Sequence, residues 1–426
     1  MLRKAAAAFA IVAAVSSLVS AEISFDTLNK TSLNQEIAAL DLSVTAPAPA
    51  SESAVAPSKA EKEWTIMVYI NAKNNLESYG LLDVNEMEKI GSSDKVNVVV
   101  EMGRIAGYSS GDGDWKTTRR FYVKKDNDTS KITSPMLADL GSIDMGDYKS
   151  VIDFGNWAKQ NYPAKHYALI IWNHGSGWDK SRGEDVTKGI SYDDESGNHI
   201  STPQLGLALK GIGGVDVYGS DACLMQMPEV TYEIKNYVTY VVGSEETEPG
   251  DGYTYDLWLG PVVAKGNMTP YELGKAAVDG YADHYQQVNQ GSTQALLKTS
   301  ALDTFVGMVN DFVKAAMAAG EKALVKSAAS GAQSYAVYDN KDMAHFFDRY
   351  AATTKDAGVK AKALALKAYI DGTLIVHNRV TGRYANGNSH GMSAYLPGYS
   401  FNGDYNDLAW AGASQWDEFV KWYQAN

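Results

Sequence analysis

From Trp64 onward the chain alternates short, nearly continuous apolar runs with stretches in which apolar residues return at helical spacing. Trp64 to Ile70 and Val96 to Met102 read as strands, with Leu76 to Ile90 an amphipathic helix between them. Arg119 to Val123 reads as an edge strand or hairpin arm, Tyr148 to Gln160 as a helix and Tyr167 to Trp172 as another buried strand. Val215 to Gly219 and Val238 to Gly243 complete the set. Strands without polar alternation are covered on both faces, and their helix-length separations predict an α/β fold: a three-layer α/β/α sandwich around a mostly parallel sheet. Past about Pro261 the spacing turns helical, over Tyr271 to Val288, Ser300 to Ala319, Ala344 to Thr353, Val359 to Ile370 and Trp416 to Tyr423. Gly391 to Leu396 alternates like a strand and stops at Pro397.

The N-terminal pattern differs. Basic Arg3 and Lys4 precede an apolar run from Ala5 to Val19 that ends in Val19-Ser20-Ala21, the three-part layout of a secretory signal peptide. The run is short for a membrane span, so a secreted or periplasmic protein without a transmembrane anchor is expected. Thr45 to Ser58 is a Pro/Ala/Ser tract with too little bulky apolar surface to offset its ordering entropy. The expected organisation is a signal peptide over 1–21, a pro-segment or linker over 22–62, a core over 63–262, and a mainly helical region over 263–426 that returns a strand to the core.

Charge and cysteine content narrow the chemistry. The formal net charge is −13, and loss of Met1 to Ala21 would remove two basic residues and no acids. Such a surface repels nucleic acid and anionic membrane. Cys223 is the only cysteine in 426 residues, so it has no intramolecular disulfide partner. Free cysteine is often a small buried hydrophobe, yet this one lies just past a strand end in Gly219-Ser220-Asp221-Ala222-Cys223. Ligands gather at the carboxyl ends of parallel strands, where a second polar signal, Asn173-His174-Gly175-Ser176-Gly177-Trp178, follows the strand ending at Trp172.

These two ends suggest a thiol nucleophile with an imidazole partner. His174 would take the thiol proton and return it to a leaving amine. The backbone N–H groups of Gly175 and Cys223 would form an oxyanion hole. A helix is expected over Leu224 to Ile234, its N-terminus lowering the thiol pKa. His166, His199, His284, His345 and His377 sit in less suggestive contexts, His377 after an apolar stretch that reads as helical. Gly387-Asn388-Ser389-His390-Gly391 matches the G-x-S-x-G pattern of serine hydrolases, but a strand follows it and no histidine comes after His390, so the match reads as chance.

The ordered blocks resemble the clostripain-like cysteine peptidases, relatives of the caspases and gingipains. The histidine block Asn173 to Trp178 and the cysteine block Asp221 to Met225 carry the resemblance. Trp64 to Ile70 with Asn74-Asn75-Leu76, Glu248 to Tyr253, and His390 to Pro397 are similar to further family segments. The resemblance implies a caspase-like fold, a Cys223–His174 dyad and cleavage after Arg or Lys in protein or peptide substrates. A basic P1 side chain needs a carboxylate, for which Asp221 and Asp251 are the candidates. Members are often cleaved between the two blocks, where Lys180, Arg182 and Lys188 would be the self-cleavage positions in a monomer that becomes a two-chain form. No cofactor is required by the sequence; some members use calcium, and Glu184, Asp185, Asp193, Asp194 and Glu195 lie in that same loop, without EF-hand spacing. The chain departs from the family at Asn71-Ala72-Lys73-Asn74, where an aspartate is expected before the paired asparagines, and at Glu101-Met102-Gly103-Arg104, where an aspartate–arginine pair is usual. A pseudo-peptidase or binding module on the same fold is therefore the competing reading.

Overall fold

The computed structural model describes residues 60–178 and 189–425. The expected signal peptide, nearly all of the 22–62 segment, and Lys180, Arg182, Glu184, Asp185 and Lys188 lie outside the described residues.

In chain order the strands are β1 (Lys62–Ala72), β2 (Val96–Arg104), β3 (Thr118–Tyr122), β4 (Met136–Asp139), β5 (Ala164–Trp172), β6 (Ile190–Asp193), β7 (Asn198–Ile200), β8 (Val215–Asp221), β9 (Val238–Gly243), β10 (Thr293–Lys298), β11 (Asn340–Asp342), β12 (Ile375–Val380) and β13 (Ser393–Tyr395). The helices are α1 (Glu77–Ile90), α2 (Tyr148–Asn161), α3 (Thr202–Ile212), α4 (Pro228–Ile234), α5 (Tyr255–Lys265), α6 (Pro270–Gln287), α7 (Leu302–Ala319), α8 (Lys322–Gly331), α9 (Met343–Thr353), α10 (Ala357–Tyr369), α11 (Ala409–Ala413) and α12 (Trp416–Gln424).

A nine-stranded sheet runs in the order β12-β10-β9-β8-β5-β1-β2-β3-β4. Its central strands, β2, β1, β5, β8 and β9, are parallel. Antiparallel strands close both edges, β3 and β4 on one side, β10 and β12 on the other. Alternation along β1 explains the three layers. Met67 and Tyr69 enter one core with Val151 and Phe154 of α2, while Ile66, Val68 and Ile70 enter the other with Val84 and Met87 of α1. Burial of these side chains on both faces makes the strands continuous apolar runs.

The C-terminal half differs from the sequence expectation in two places. Gly391 to Leu396 does supply a strand, β13, but it pairs with β11 in a separate two-stranded sheet. The strands that extend the main sheet are β10 and β12; His377 lies on β12, and the apolar residues just before it, expected to be helical, include the start of that strand. Thr293-Gln294 in β10 and His377-Asn378-Arg379 in β12 break the apolar runs that mark the other strands.

Candidate active site

Strands β5 and β8 pair in parallel with Trp172 opposite Asp221. His174 and Cys223 each lie two residues beyond that pair, so the register carries both past the sheet at the same level. Gly175 then packs on the cysteine backbone: a Cβ there would meet Cys223 O at 2.5 Å and Ala222 Cβ at 3.0 Å. Only glycine lets the histidine segment come so close.

His174 is oriented from the adjoining β1 end. Its Nε2 lies 2.8 Å from Asn75 Oδ1, which as an acceptor calls for a proton on Nε2 and assigns Nδ1 as the basic nitrogen. The segment is further fixed by Asn173, whose Nδ2 donates to Asn71 O at 2.5 Å and whose Oδ1 accepts from Tyr192 N at 2.7 Å. Ser191 N donates to His174 O at 3.3 Å.

Cys223 is fully buried and forms no disulfide. It does not open a helix. Leu224, in the left-handed region at φ 64°, donates its N–H to Glu246 O, and Gln226 N donates to Ser244 O. The chain therefore runs beside the segment after β9 until Pro228 starts α4. This corrects the expected helix over Leu224 to Ile234, and the helix-terminus argument for a lowered thiol pKa goes with it. In its place, Glu248 N–H donates to Cys223 Sγ at 3.2 Å, a contact that favours the thiolate.

Two residues before Cys223, at the end of β8, stands a buried acid. Asp221 accepts from Tyr253 N at 3.0 Å and from Tyr255 Oη at 2.8 Å. Burial pushes the Asp221 pKa up to about 7 against the effect of these hydrogen bonds. Asp83, also buried, accepts from Trp172 Nε1 at 2.6 Å; burial and the nearby Asp221 charge push its carboxyl well above the ordinary range.

A model of the clostripain family matches residues 68–422. The chain belongs to the clostripain family. It is similar to the clostripain of Hathewaya histolytica, 28% identical over 233 residues that cover 47% of this chain and 42% of that protein. The match thus spans under half the length of that relative. Two solved clostripain-type structures share the fold. A secreted C11 cysteine protease from Bacteroides thetaiotaomicron, in complex with an irreversible peptide inhibitor, has a TM-score of 0.64 at 19% identity, covering 83% of this chain and 99% of that one. An inactive zymogen C11 protease from Parabacteroides distasonis has a TM-score of 0.62 at 18% identity, covering 84% of this chain and 99% of that one.

Within this clostripain-family chain the remaining sequence candidates are dispersed. Asp251 is exposed, its Oδ2 2.8 Å from His284 Nε2, whereas Asp221 is buried beside Cys223. Lys180, Arg182 and Lys188 fall outside the described residues, but their flanks do not. Trp178 is buried edge-on to Tyr395 and Tyr405, with ring centroids 4.6 Å away in both cases. Gly189 N donates to Ser176 Oγ at 3.2 Å.

The first departure from the family pattern has a structural role. Lys73 is buried, its Nζ 2.5 Å from Glu195 and 3.8 Å from Asp193. Its ammonium thus stands between these two carboxylates. Among the described residues no group of three acidic, histidine or cysteine side chains has a metal-holding arrangement. The Ser389 motif is structural too: Ser389 Oγ accepts from Tyr335 Oη at 3.1 Å, and His390 Nδ1 is 2.7 Å from Asp371. Two site residues escaped the sequence reading of the chemistry, Asn75 and Glu248, although both stand inside quoted family blocks.

Among the described residues no helix is long and apolar enough to cross a membrane.

Proposed function

We propose that this protein is an exported cysteine endopeptidase that cleaves after Arg or Lys. The observation that carries the reading is the matched position of His174 and Cys223 beyond the paired Trp172 and Asp221, with Gly175 packed on the cysteine backbone. His174 Nδ1 takes the thiol proton while Asn75 keeps Nε2 protonated. The thiolate attacks the scissile carbonyl carbon, and the oxyanion is met by the N–H groups of Gly175 and Cys223. His174 returns the proton to the leaving amine, and water then hydrolyses the thioester by the same route.

Selection of a basic P1 residue rests on Asp221. A buried carboxyl with its pKa raised to about 7 bears an unrepaid desolvation cost, which an arginine or lysine side chain would offset. Asp251 would act from the exposed rim, where His284 already engages it. Self-cleavage at Lys180, Arg182 or Lys188 is part of the same proposal. The contacts of Trp178 and Gly189 support it, because they would hold both new ends in place after the cut.

The deciding experiment compares wild type with Cys223→Ala on peptides bearing Arg, Lys or Asp at P1. Wild type should cleave the Arg and Lys peptides and mature into two chains; Cys223→Ala should do neither. Full activity in Cys223→Ala, or no cleavage by any processed wild-type form, would sink this reading; only the second outcome would favour a pseudo-peptidase or binding module.

A further inference from the structure

The last turn of α6 holds the short chain segment that joins the thiol to Asp221. Tyr285 stands in that turn and is fully buried. Its hydroxyl donates to Gly252 O at 2.8 Å, with Pro249 O a second acceptor at 3.3 Å. Gly252 N in turn donates to Pro249 O at 3.0 Å, which closes Pro249-Gly250-Asp251-Gly252 as a tight turn. One phenol thus grips both ends of it. The neighbouring His284 meets Asp251 Oδ2 at the tip, 2.8 Å away.

The residues that flank this turn make two contacts at the site. Immediately before it, Glu248 N–H donates to Cys223 Sγ at 3.2 Å; immediately after it, Tyr253 N–H donates to Asp221 Oδ1 at 3.0 Å. The aim of each N–H is set by its own peptide plane, so both depend on the shape of the four residues between them. The local sequence fixes that shape weakly. Gly250 and Gly252 have no Cβ and admit many backbone conformations, and Gly252 lies in the left-handed region at φ 55°. The helix that follows, α5, begins without a side-chain cap. The hydroxyl of Tyr285, 33 residues along the chain from Gly252, supplies a restraint that the turn itself lacks.

We propose that Tyr285 is a positioning residue of the site: its hydroxyl holds the Pro249–Gly252 turn in the shape that aims the Glu248 N–H at the thiol sulfur and the Tyr253 N–H at Asp221. The inference rests on the reading of Cys223 as a nucleophile. An N–H aimed at the sulfur favours the thiolate over the thiol, so a relaxed turn weakens the nucleophile without any change beside it. The Tyr285 ring packs edge-on to Tyr281 with centroids 4.6 Å apart, a contact that does not depend on the hydroxyl.

The test is a pH titration of the Cys223 thiolate, followed by its ultraviolet absorbance, in wild type and in Tyr285→Phe. Cys223 is the only thiol, so the signal needs no assignment. Tyr285→Phe should raise the midpoint by about half to one pH unit, the worth of one hydrogen bond, and so cut the thiolate fraction below the midpoint roughly three- to tenfold. An unmoved midpoint would overturn the proposal whatever happens to Tm, because a merely structural hydroxyl changes Tm alone. A wild-type midpoint at the ordinary cysteine value of about 8.5 would instead sink the nucleophile reading, and this inference with it. Hydrogen exchange on wild type covers a variant that fails to fold. The Glu248, Gly252 and Tyr253 amides should exchange as slowly as those inside β9, and fast exchange at any of them would overturn the proposal.

Discussion

Asn75 Oδ1 lies 2.8 Å from His174 Nε2, joining the end of β1 to the histidine that follows β5. The contact sets which ring nitrogen bears the proton, a task that other histidine enzymes give to a carboxylate or a backbone carbonyl. A neutral amide orients the ring without adding charge. Asn75→Ala should therefore lower kcat by roughly 10–100-fold with little change in KM or thermal stability, since the residue acts through His174 and not on substrate. Steady-state kinetics beside a thermal melt checks this. Equal losses in kcat and Tm would instead assign Asn75 a packing role.

Gly175 gives a steric prediction. A methyl group at this position meets Cys223 O at 2.5 Å and Ala222 Cβ at 3.0 Å, and both belong to the turn that carries the nucleophile. Neither is the far end of a flexible side chain, so the two strand ends must move apart. Gly175→Ala should cost about 1–3 kcal/mol in denaturant unfolding, as overpacking does, and lose nearly all activity. Retained kcat would mean that the proposed oxyanion donors lie elsewhere.

Asp221 links stability and activity with opposite signs. Burial raises its folded-state pKa to about 7, above the ordinary carboxylate value that it regains on unfolding. Between those two values the native protein holds a proton that the unfolded chain has lost, so rising pH favours the unfolded chain. The contribution is fully present below the ordinary value and is lost as pH rises toward 7. Asp221→Asn removes the titration. The variant should lose the steepest part of the wild-type fall in Tm between pH 4 and 7, and at pH 8 should exceed wild type by about 1–3 kcal/mol. It should also lose most cleavage after Arg and Lys. Lower stability than wild type at pH 8 would indicate that Asp221 is ionised and well paired in the folded state.

How far the sequence revealed this architecture depended on how each element is buried. Strands β1, β2, β5, β8 and β9 were legible because burial on both faces writes them as apolar runs, and His174 and Cys223 were legible as polar signals past two such runs. Strands β10 and β12 carry Gln294 and His377 toward polar partners, and no apolar periodicity marked them. The chain after Cys223 read as helical up to Ile234, yet Leu224 at φ 64° turns it and its N–H bond to Glu246 O keeps it out of a helix until Pro228. Asn75 and Glu248 were hidden differently. Asn75 lies 99 residues from His174 and Glu248 lies 25 from Cys223, contacts made by sheet order rather than by local spacing.

The second family departure becomes a prediction about the helix that follows Asn75. Glu101 and Arg104, three residues apart on β2, do not pair with each other. Glu101 Oε2 meets Arg120 Nε at 2.6 Å across β3, while Arg104 Nε meets Glu77 Oε1 at 2.8 Å, with both side chains fully buried. Arg104 also donates to Gly111 O and Ser109 O, and Ser109 N donates to Glu77 Oε2. Glu77 opens α1 two residues after Asn75, so this pair fixes the start of the helix and, through it, the carboxamide on His174. Removing one partner leaves the other charge buried and uncompensated. Arg104→Ala and Glu77→Ala should each cost about 3–5 kcal/mol. The double variant should lose well under the sum, since neither charge is then stranded. At a temperature where Glu77→Ala is still folded, its kcat should fall toward that of Asn75→Ala while KM stays near wild type. A folded Glu77→Ala enzyme with normal kcat would show that Asn75 is held independently of this ion pair.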